Sequence, residues 1–251
     1  MNAIDPRKVA VVIPALNEER AIRDVVQDVL AVCANIIVID DGSTDGTSQR
    51  IADLPVDVIR HATPQGKGQA LREGFRAALA RGFDAVITMD GDGQHAAADI
   101  PRLQQAAAVY PGCLVIGARI RHKESQPKAR RRANAVADWG ISWGCGVPVA
   151  DTQSGQRYYP RAALELVNLP AEDFVFEAAI LIAAARERGI GIVSVPIDTR
   201  YHESLRGSHF RPVRDVTRIT WYTMQRVAHY GHIVASYRAS HGSPPVVFDP
   251  P

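Results

Sequence analysis

A chain of 251 residues, 22% of them charged and with a formal net charge of +2, is long enough to bury a large core. Its charge is too evenly balanced for a basic nucleic-acid-binding domain or an acidic tail, so any attraction to anions must be local. No stretch at the N-terminus has the basic-then-apolar pattern of a signal peptide, and no run approaches the ~20 apolar residues that cross a bilayer. Cys33, Cys113 and Cys145 lie far apart among apolar or small residues. That fits buried thiols better than a disulfide framework or a metal site, and the expectation is a cytoplasmic protein.

The predicted elements begin with strands VAVVI (9–13), NIIVID (35–40), VDVIR (56–60), DAVITMD (84–90) and CLVIGAR (113–119), with helical spacing over 18–32 and 67–81. This alternation predicts an α/β fold with a mostly parallel, doubly wound, Rossmann-like sheet flanked by helices. Three strands end in polar clusters, Pro14 to Glu18, Asp40 to Asp45 and Asp90 to Gln94. Such sheets bind ligands beyond the carboxyl ends of their strands, so the three clusters are expected to converge. In the second half, 127–144 read as a helix, 151–159 as a turn and extended piece, 174–188 as a helix, 190–197 as a strand and 212–238 as one long helix. The expected organisation is a domain over 1–211, an amphipathic C-terminal helix over 212–241 packed on it or at a membrane surface, and a Pro-rich, disordered tail over 242–251.

In MDGDGQH (89–95), Asp90 and Asp92 alternate at the end of an apolar strand and the amide of Gln94 follows. These are hard oxygen donors suited to Mg²⁺ or Mn²⁺, in a site of the kind that leaves positions open for phosphate oxygens. The same pair between two glycines also fits an acidic turn. In VIDDGSTDGT (38–47) two adjacent carboxylates close a strand, and Asp40 reads alternatively as the cap of the following turn or helix. Lys67 stands between Gly66 and Gly68 at a helix start, but GKGQAL completes neither a Walker A loop nor a dinucleotide fingerprint. A basic stretch runs from Arg119 to Arg132. Trp139 and Trp143, four residues apart, read as core or membrane-surface packing rather than a sugar platform.

Taken in order, PALNEE (14–19), DDGSTDGT (40–47), GKGQALREG (66–74), DGDGQH (90–95), GAR (117–119), Arg130 with Asn134, DTQSGQR (151–157), FVFE (174–177) and TRY…SHFRPVRD (199–215) resemble glycosyltransferase family 2 over roughly residues 8 to 215. Within that family the dolichol- or polyprenyl-phosphate sugar synthases are the most similar. The resemblance implies the GT-A fold and a metal-dependent, inverting transfer of a hexose from a nucleotide sugar such as GDP-mannose or UDP-hexose to a polyprenyl or dolichyl phosphate. It places Pro14, Ala15, Asn17, Glu18, Asp41, Gly42, Asp90 and Gly91 around the nucleotide sugar, with Asp41 on the base and Lys67 as a donor contact. Asp90, Asp92 and Gln94 would hold Mg²⁺ or Mn²⁺.

By the same resemblance Arg206, His209 and Arg211 close over the diphosphate, His209 standing where the family has lysine, which makes charge there pH-dependent. Arg119, Arg130 and Asn134 would take the acceptor phosphate, Asn134 replacing the family's serine, and Asp92, Arg119 and Arg130 would carry catalysis. A phosphate acceptor needs no general base, whereas a sugar hydroxyl would need one, Asp151 or Glu177. Two other readings stand beside this one: a family member acting on a sugar hydroxyl, and a non-catalytic nucleotide-sugar-binding subunit. The implied partners are the donor, a lipid phosphate and a membrane surface or membrane protein, with no nucleic acid. The implied location is the cytoplasm, peripheral on its membrane face.

Overall fold

The computed structural model describes residues 5–121, 128–171, 173–198 and 212–249. Each β-rich run of the first half forms a strand: β1 (Val9–Ala15), β2 (Ile36–Asp40), β3 (Asp57–Arg60), β4 (Ala85–Thr88) and β5 (Leu114–Ala118). They join β6 (Arg157–Pro160) and β7 (Ile192–Pro196) in one sheet of order β3-β2-β1-β4-β6-β5-β7. All described pairings are parallel except those of β6, which runs antiparallel between β4 and β5.

Alternation along the central strands divides the core. Ala10, Val12, Ile37 and Ile39 face α2 (Lys67–Ala80), α4 (Lys128–Cys145), α5 (Arg161–Leu164), α6 (Val175–Glu187) and α7 (Pro212–Tyr230). Val9, Val11, Ile13, Ile36 and Val38 face α1 (Ile22–Leu30) and α3 (Ile100–Val109), the second of these an addition to the expected elements. A strand buried on both faces has no polar side to show, which is why these runs are continuously apolar.

This order positions the site. β1 leads through α1 to β2 on one side and its other neighbour is β4, so the switch point of the sheet falls between β1 and β4. β6 enters the sheet at the edge where the parallel strands leave it, which brings residues 151–156 to the same rim as the ends of β1, β2, β4 and β5.

Two expectations are corrected. The long helix over 212–238 is broken: α7 stops at Tyr230, Gly231 and His232 take φ of 68° and 52°, and α8 (Ile233–His241) continues in a new direction against α4. A left-handed pair ends a helix regardless of the apolar periodicity that runs through it. The tail is not structureless either. Val247 bridges Ser194 in parallel beside β7, the Phe248 N–H donates to the Ser194 carbonyl at 2.8 Å, Phe248 packs on the α1/α3 side of the core, and Asp249 accepts from Arg102 and Arg121 at 3.0 and 2.8 Å. Proline content hid a segment that covers the sheet's edge. Truncation after Gly242 is expected to cost about 2 kcal/mol through the lost Phe248 burial and edge hydrogen bonds, read as a lower midpoint in urea.

Candidate active site

The hydroxyls that follow β2 knit the first two clusters together. The Asn17 N–H donates to Ser43 Oγ at 2.9 Å, the Glu18 N–H to Thr47 Oγ1 at 2.8 Å, and the Thr44 N–H returns to Asn17 Oδ1 at 2.8 Å. Asn17 takes φ of 57° to do so. Of the adjacent carboxylates, Asp40 is the cap: it accepts from the Ser43 N–H at 2.8 Å and from the Ser48 hydroxyl, with Arg60 Nε at 3.5 Å. Asp41 faces the next loop. Its Oδ1 meets His61 Nδ1 at 2.7 Å and the Gln65 N–H at 2.8 Å, and its Oδ2 accepts the Gly66 N–H at 2.8 Å. Gly42, at φ of 73°, lets that loop pass, since a Cβ there would fall 2.6 Å from the Thr63 carbonyl carbon. The first task of Asp41 is therefore holding residues 61–66, which the sequence alone did not reveal.

Residues 66–68 carry Lys67 to the second cluster. Its ammonium lies 2.8 Å from Asp90 Oδ1 and 3.2 Å from Glu177 Oε2, with the Phe174 ring centroid at 5.7 Å. Burial pushes the lysine down, but Asp90 and Glu177 together outweigh it and hold the ammonium above its usual range. For Asp90, burial acts upward and is overcome chiefly by Lys67, so this carboxyl sits below the ordinary range. Asp92 goes the other way. Burial first, then the charge of Asp90, push it up to about 6, although its Oδ1 accepts the Gln94 N–H at 3.0 Å. His95, at 3.8 Å from Asp90 Oδ2, is driven down to about 4 by burial and is neutral at physiological pH.

The third cluster enters from β5 and β6. Arg119, next after β5, grips Asp151 through Nε and Nη2, each at 2.7 Å, and its own N–H donates to the same carboxylate at 2.7 Å. Asp151, at φ of 49°, is buried. The burial acts to raise its carboxyl, and the Arg119 bonds lower it further than burial lifts it. Asp138 of α4 braces the turn by accepting from the N–H and hydroxyl of Thr152, both at 2.7 Å. Arg157, 1% exposed, donates to the carbonyls of Thr152, Ser154 and Glu177 at 2.7, 2.7 and 2.9 Å. It ties the 151–155 turn to the start of α6 so that Gly155 lies against Asp90, where a Cβ would come within 2.5 Å of Oδ2.

Ala15 at the end of β1 and Gly91 in the turn beyond β4 are buried, and Pro14, Glu18, Gln94 and Asn134 are half-buried. Arg206, His209 and Arg211 lie outside the described residues, as does the side chain of Arg130 on α4. Three buried residues escaped the sequence reading: His61, His95 and Arg157. The one available signal was Arg157 heading an otherwise apolar strand, RYYP (157–160).

Among the described residues, no group of three or more His, Cys, Asp or Glu side chains is arranged to hold a metal. Asp90 and Asp92 nonetheless fit a divalent cation as part of a ligand set. They are half-buried carboxylates close enough for one to hinder ionisation of the other, a conflict that a dication relieves, and hard cations commonly draw the remaining oxygens from phosphate.

Polar loops at a switch point, with two carboxylates and a lysine beneath them, define an α/β protein of the GT-A fold. The chain belongs to glycosyltransferase family 2, whose family description, glycosyl transferase family 2, matches residues 10–169. It is 31% identical to a UDP-N-acetylglucosamine–dolichyl-phosphate N-acetylglucosaminyltransferase of Methanococcus voltae, over 76% of this chain and 85% of that one. It is also 31% identical to a polyprenol monophosphomannose synthase of Mycolicibacterium smegmatis, over 76% and 77%. Its fold is similar to that of a glucosyl-3-phosphoglycerate synthase of Mycobacterium tuberculosis, solved with Mn²⁺, UDP and glucosyl-3-phosphoglycerate. The TM-score is 0.63 and the identity 26%, covering 88% of this chain and 79% of that one.

Proposed function

We propose that this glycosyltransferase moves a hexose from a nucleotide diphosphate sugar, GDP-mannose or a UDP-hexose, to a polyprenyl or dolichyl phosphate with inversion. One observation carries the choice of acceptor: both carboxylates available as a general base for a hydroxyl are ion-paired. Asp151 is held by Arg119 and its carboxyl is lowered, which makes it a weak base, and Glu177 shares the Lys67 ammonium. A phosphate acceptor arrives ionised and needs neither. The names of the relatives from Methanococcus voltae and Mycolicibacterium smegmatis support the same acceptor class.

In this reading the 14–19 and 40–47 loops bind the nucleotide, with Asp41 accepting from the base beside its loop contacts. Lys67 meets the diphosphate and, with Arg206 and His209, completes its surroundings. Asp90, Asp92 and Gln94 would hold Mg²⁺ or Mn²⁺, which supplies charge neutralisation of the departing nucleoside diphosphate. Arg119, oriented by Asp151, meets the acceptor phosphate together with Arg130 and Asn134. The intact acidic pair speaks against a non-catalytic binding subunit. The direct test is a panel of nucleotide sugars offered with a membrane lipid extract and, separately, soluble sugars. Radiolabel passing into organic solvent is expected, and label transferred only to soluble sugars would overturn the lipid-phosphate acceptor.

The acceptor class places the protein at a membrane. Among the described residues no helix is long and apolar enough to cross one, so contact would be peripheral or through a membrane protein. On α4, α7 and α8 the exposed side chains include Trp139, Trp221, Met224, Val234 and Tyr237. Arg214 and Arg238 lie exposed on the same helices, and the only acid of α7 and α8, Asp215, is buried. Aromatic residues with nearby arginines suit an anionic bilayer surface. Binding to vesicles with 30% anionic lipid is expected at low salt and to fall sharply at high salt. Arg130→Ala is expected to impair transfer to lipid phosphate while leaving donor binding intact.

A further inference from the structure

Lys67 occupies the position from which a second cation must be excluded. Its ammonium is 2.8 Å from Asp90 Oδ1, so a divalent ion on that carboxylate and the ammonium as it stands would be like charges in contact. The backbone that carries Lys67 cannot withdraw. Asp41 binds the N–H groups of Gln65 and Gly66. Gly66 lies at φ of 92° with the Asp173 carboxylate 2.0 Å from where a Cβ would stand, and a Cβ at Gly68 would fall 2.6 Å from the Asp173 carbonyl oxygen. The first turn of α2 is thus fixed on both sides, and only the lysine side chain has freedom to swing. A second anion lies within its reach, Glu177 Oε2 at 3.2 Å.

We infer that Lys67 is the cation Asp90 holds when donor is absent, and that a nucleoside diphosphate draws the ammonium away, so that metal and nucleotide enter as one unit. This rests on the reading of Asp90 as a metal ligand. A diphosphate is the one incoming group that supplies both the negative charge to attract the ammonium and the oxygens to complete the metal's ligand set. Glu177 lowers the cost of the exchange by keeping a carboxylate on the lysine throughout. By linkage, metal and diphosphate strengthen each other's binding by the same factor.

The test is Mn²⁺ binding followed by electron paramagnetic resonance on the metal-free full chain, alone and with UDP, GDP, UMP or GMP. Wild-type protein is expected to bind Mn²⁺ weakly alone and roughly tenfold or more tightly with a diphosphate of the matching base, a coupling of ordinary size between sites, and to show no such gain with the monophosphates. Lys67→Met is expected to bind Mn²⁺ alone about tenfold more tightly than wild type and to lose most of the coupling. Glu177→Gln, which leaves the ammonium Asp90 as its sole carboxylate among the described residues, is expected to weaken Mn²⁺ binding alone, opposite in sign and so not attributable to general loosening. Unchanged Mn²⁺ affinity in Lys67→Met, with only diphosphate binding weakened, would reduce Lys67 to a donor contact and overturn the inference. Tight Mn²⁺ binding to wild type without nucleotide would overturn it while leaving Asp90 a metal ligand. An absence of Mn²⁺ binding in every state would overturn both.

Discussion

Asp92→Asn is expected to lower nucleotide-sugar turnover by roughly 10³-fold, about 4 kcal/mol of transition-state stabilisation, because in the proposed reading an amide oxygen would replace a charged metal ligand beside the departing diphosphate. The fold is expected to survive. In the free protein the Asp92 carboxyl is raised to about 6 by burial and by Asp90. Its folded pKa thus lies above the unfolded one, and the stability this gives is present at low pH and lost as pH rises through about 6. An amide has no charge to bury, so Asp92→Asn in chelator should melt no lower than wild type at pH 7.5, and higher than wild type there relative to pH 5. Wild-type Mn²⁺ affinity should fall as pH drops below about 6, where Asp92 takes a proton. A variant with full turnover, or turnover undiminished in chelator, would remove Asp92 from the metal site.

Arg119→Ala is expected to destabilise the protein by ~3–5 kcal/mol at neutral pH, the cost of stripping the partner from a buried, bidentate ion pair. The sign with pH is specific. In wild type the Asp151 carboxyl is lowered by Arg119 against burial, so its stabilisation is present above the unfolded pKa of about 3.9 and lost as pH falls through the lower, folded value. Without the Arg119 guanidinium the carboxylate keeps the backbone N–H of residue 119, but burial then weighs far more heavily and favours the protonated acid. The deficit should therefore be largest near pH 7 and shrink toward pH 4. Adding Asp151→Asn should recover part of it, since no unpaired charge then remains, and urea titrations at three pH values on the two single variants and the double variant measure this coupling. A deficit below 1 kcal/mol, independent of pH, would show that the pair is solvated and carries little.

Much of the architecture was legible because its signals are local. Runs such as VAVVI and NIIVID are continuously apolar since the sheet buries both faces, and each polar cluster at 14–18, 40–45 and 90–94 marks where a strand leaves the core. The motif order was enough to indicate the family, which the match over residues 10–169 shows. Periodicity failed where backbone conformation intervened, at Gly231 and His232, and where composition misled, in the tail that lies beside β7.

What the sequence by itself determined was therefore the kind of fold, the rim of the sheet at which its polar clusters gather and the residue types present there. Those follow from alternation, turn chemistry and the cost of placing charge at the end of an apolar strand. Only the tertiary structure decided which charges neutralise which. Asp151 belongs to Arg119, Lys67 belongs to both Asp90 and Glu177, and Asp41 belongs to its neighbouring loop. Residues 32 and 110 positions apart in the chain meet because β6 runs antiparallel through the sheet and α6 packs on it. Ion pairing acts over a few ångströms of space, and nothing in the linear spacing of charges records which of them a folded sheet will bring that close.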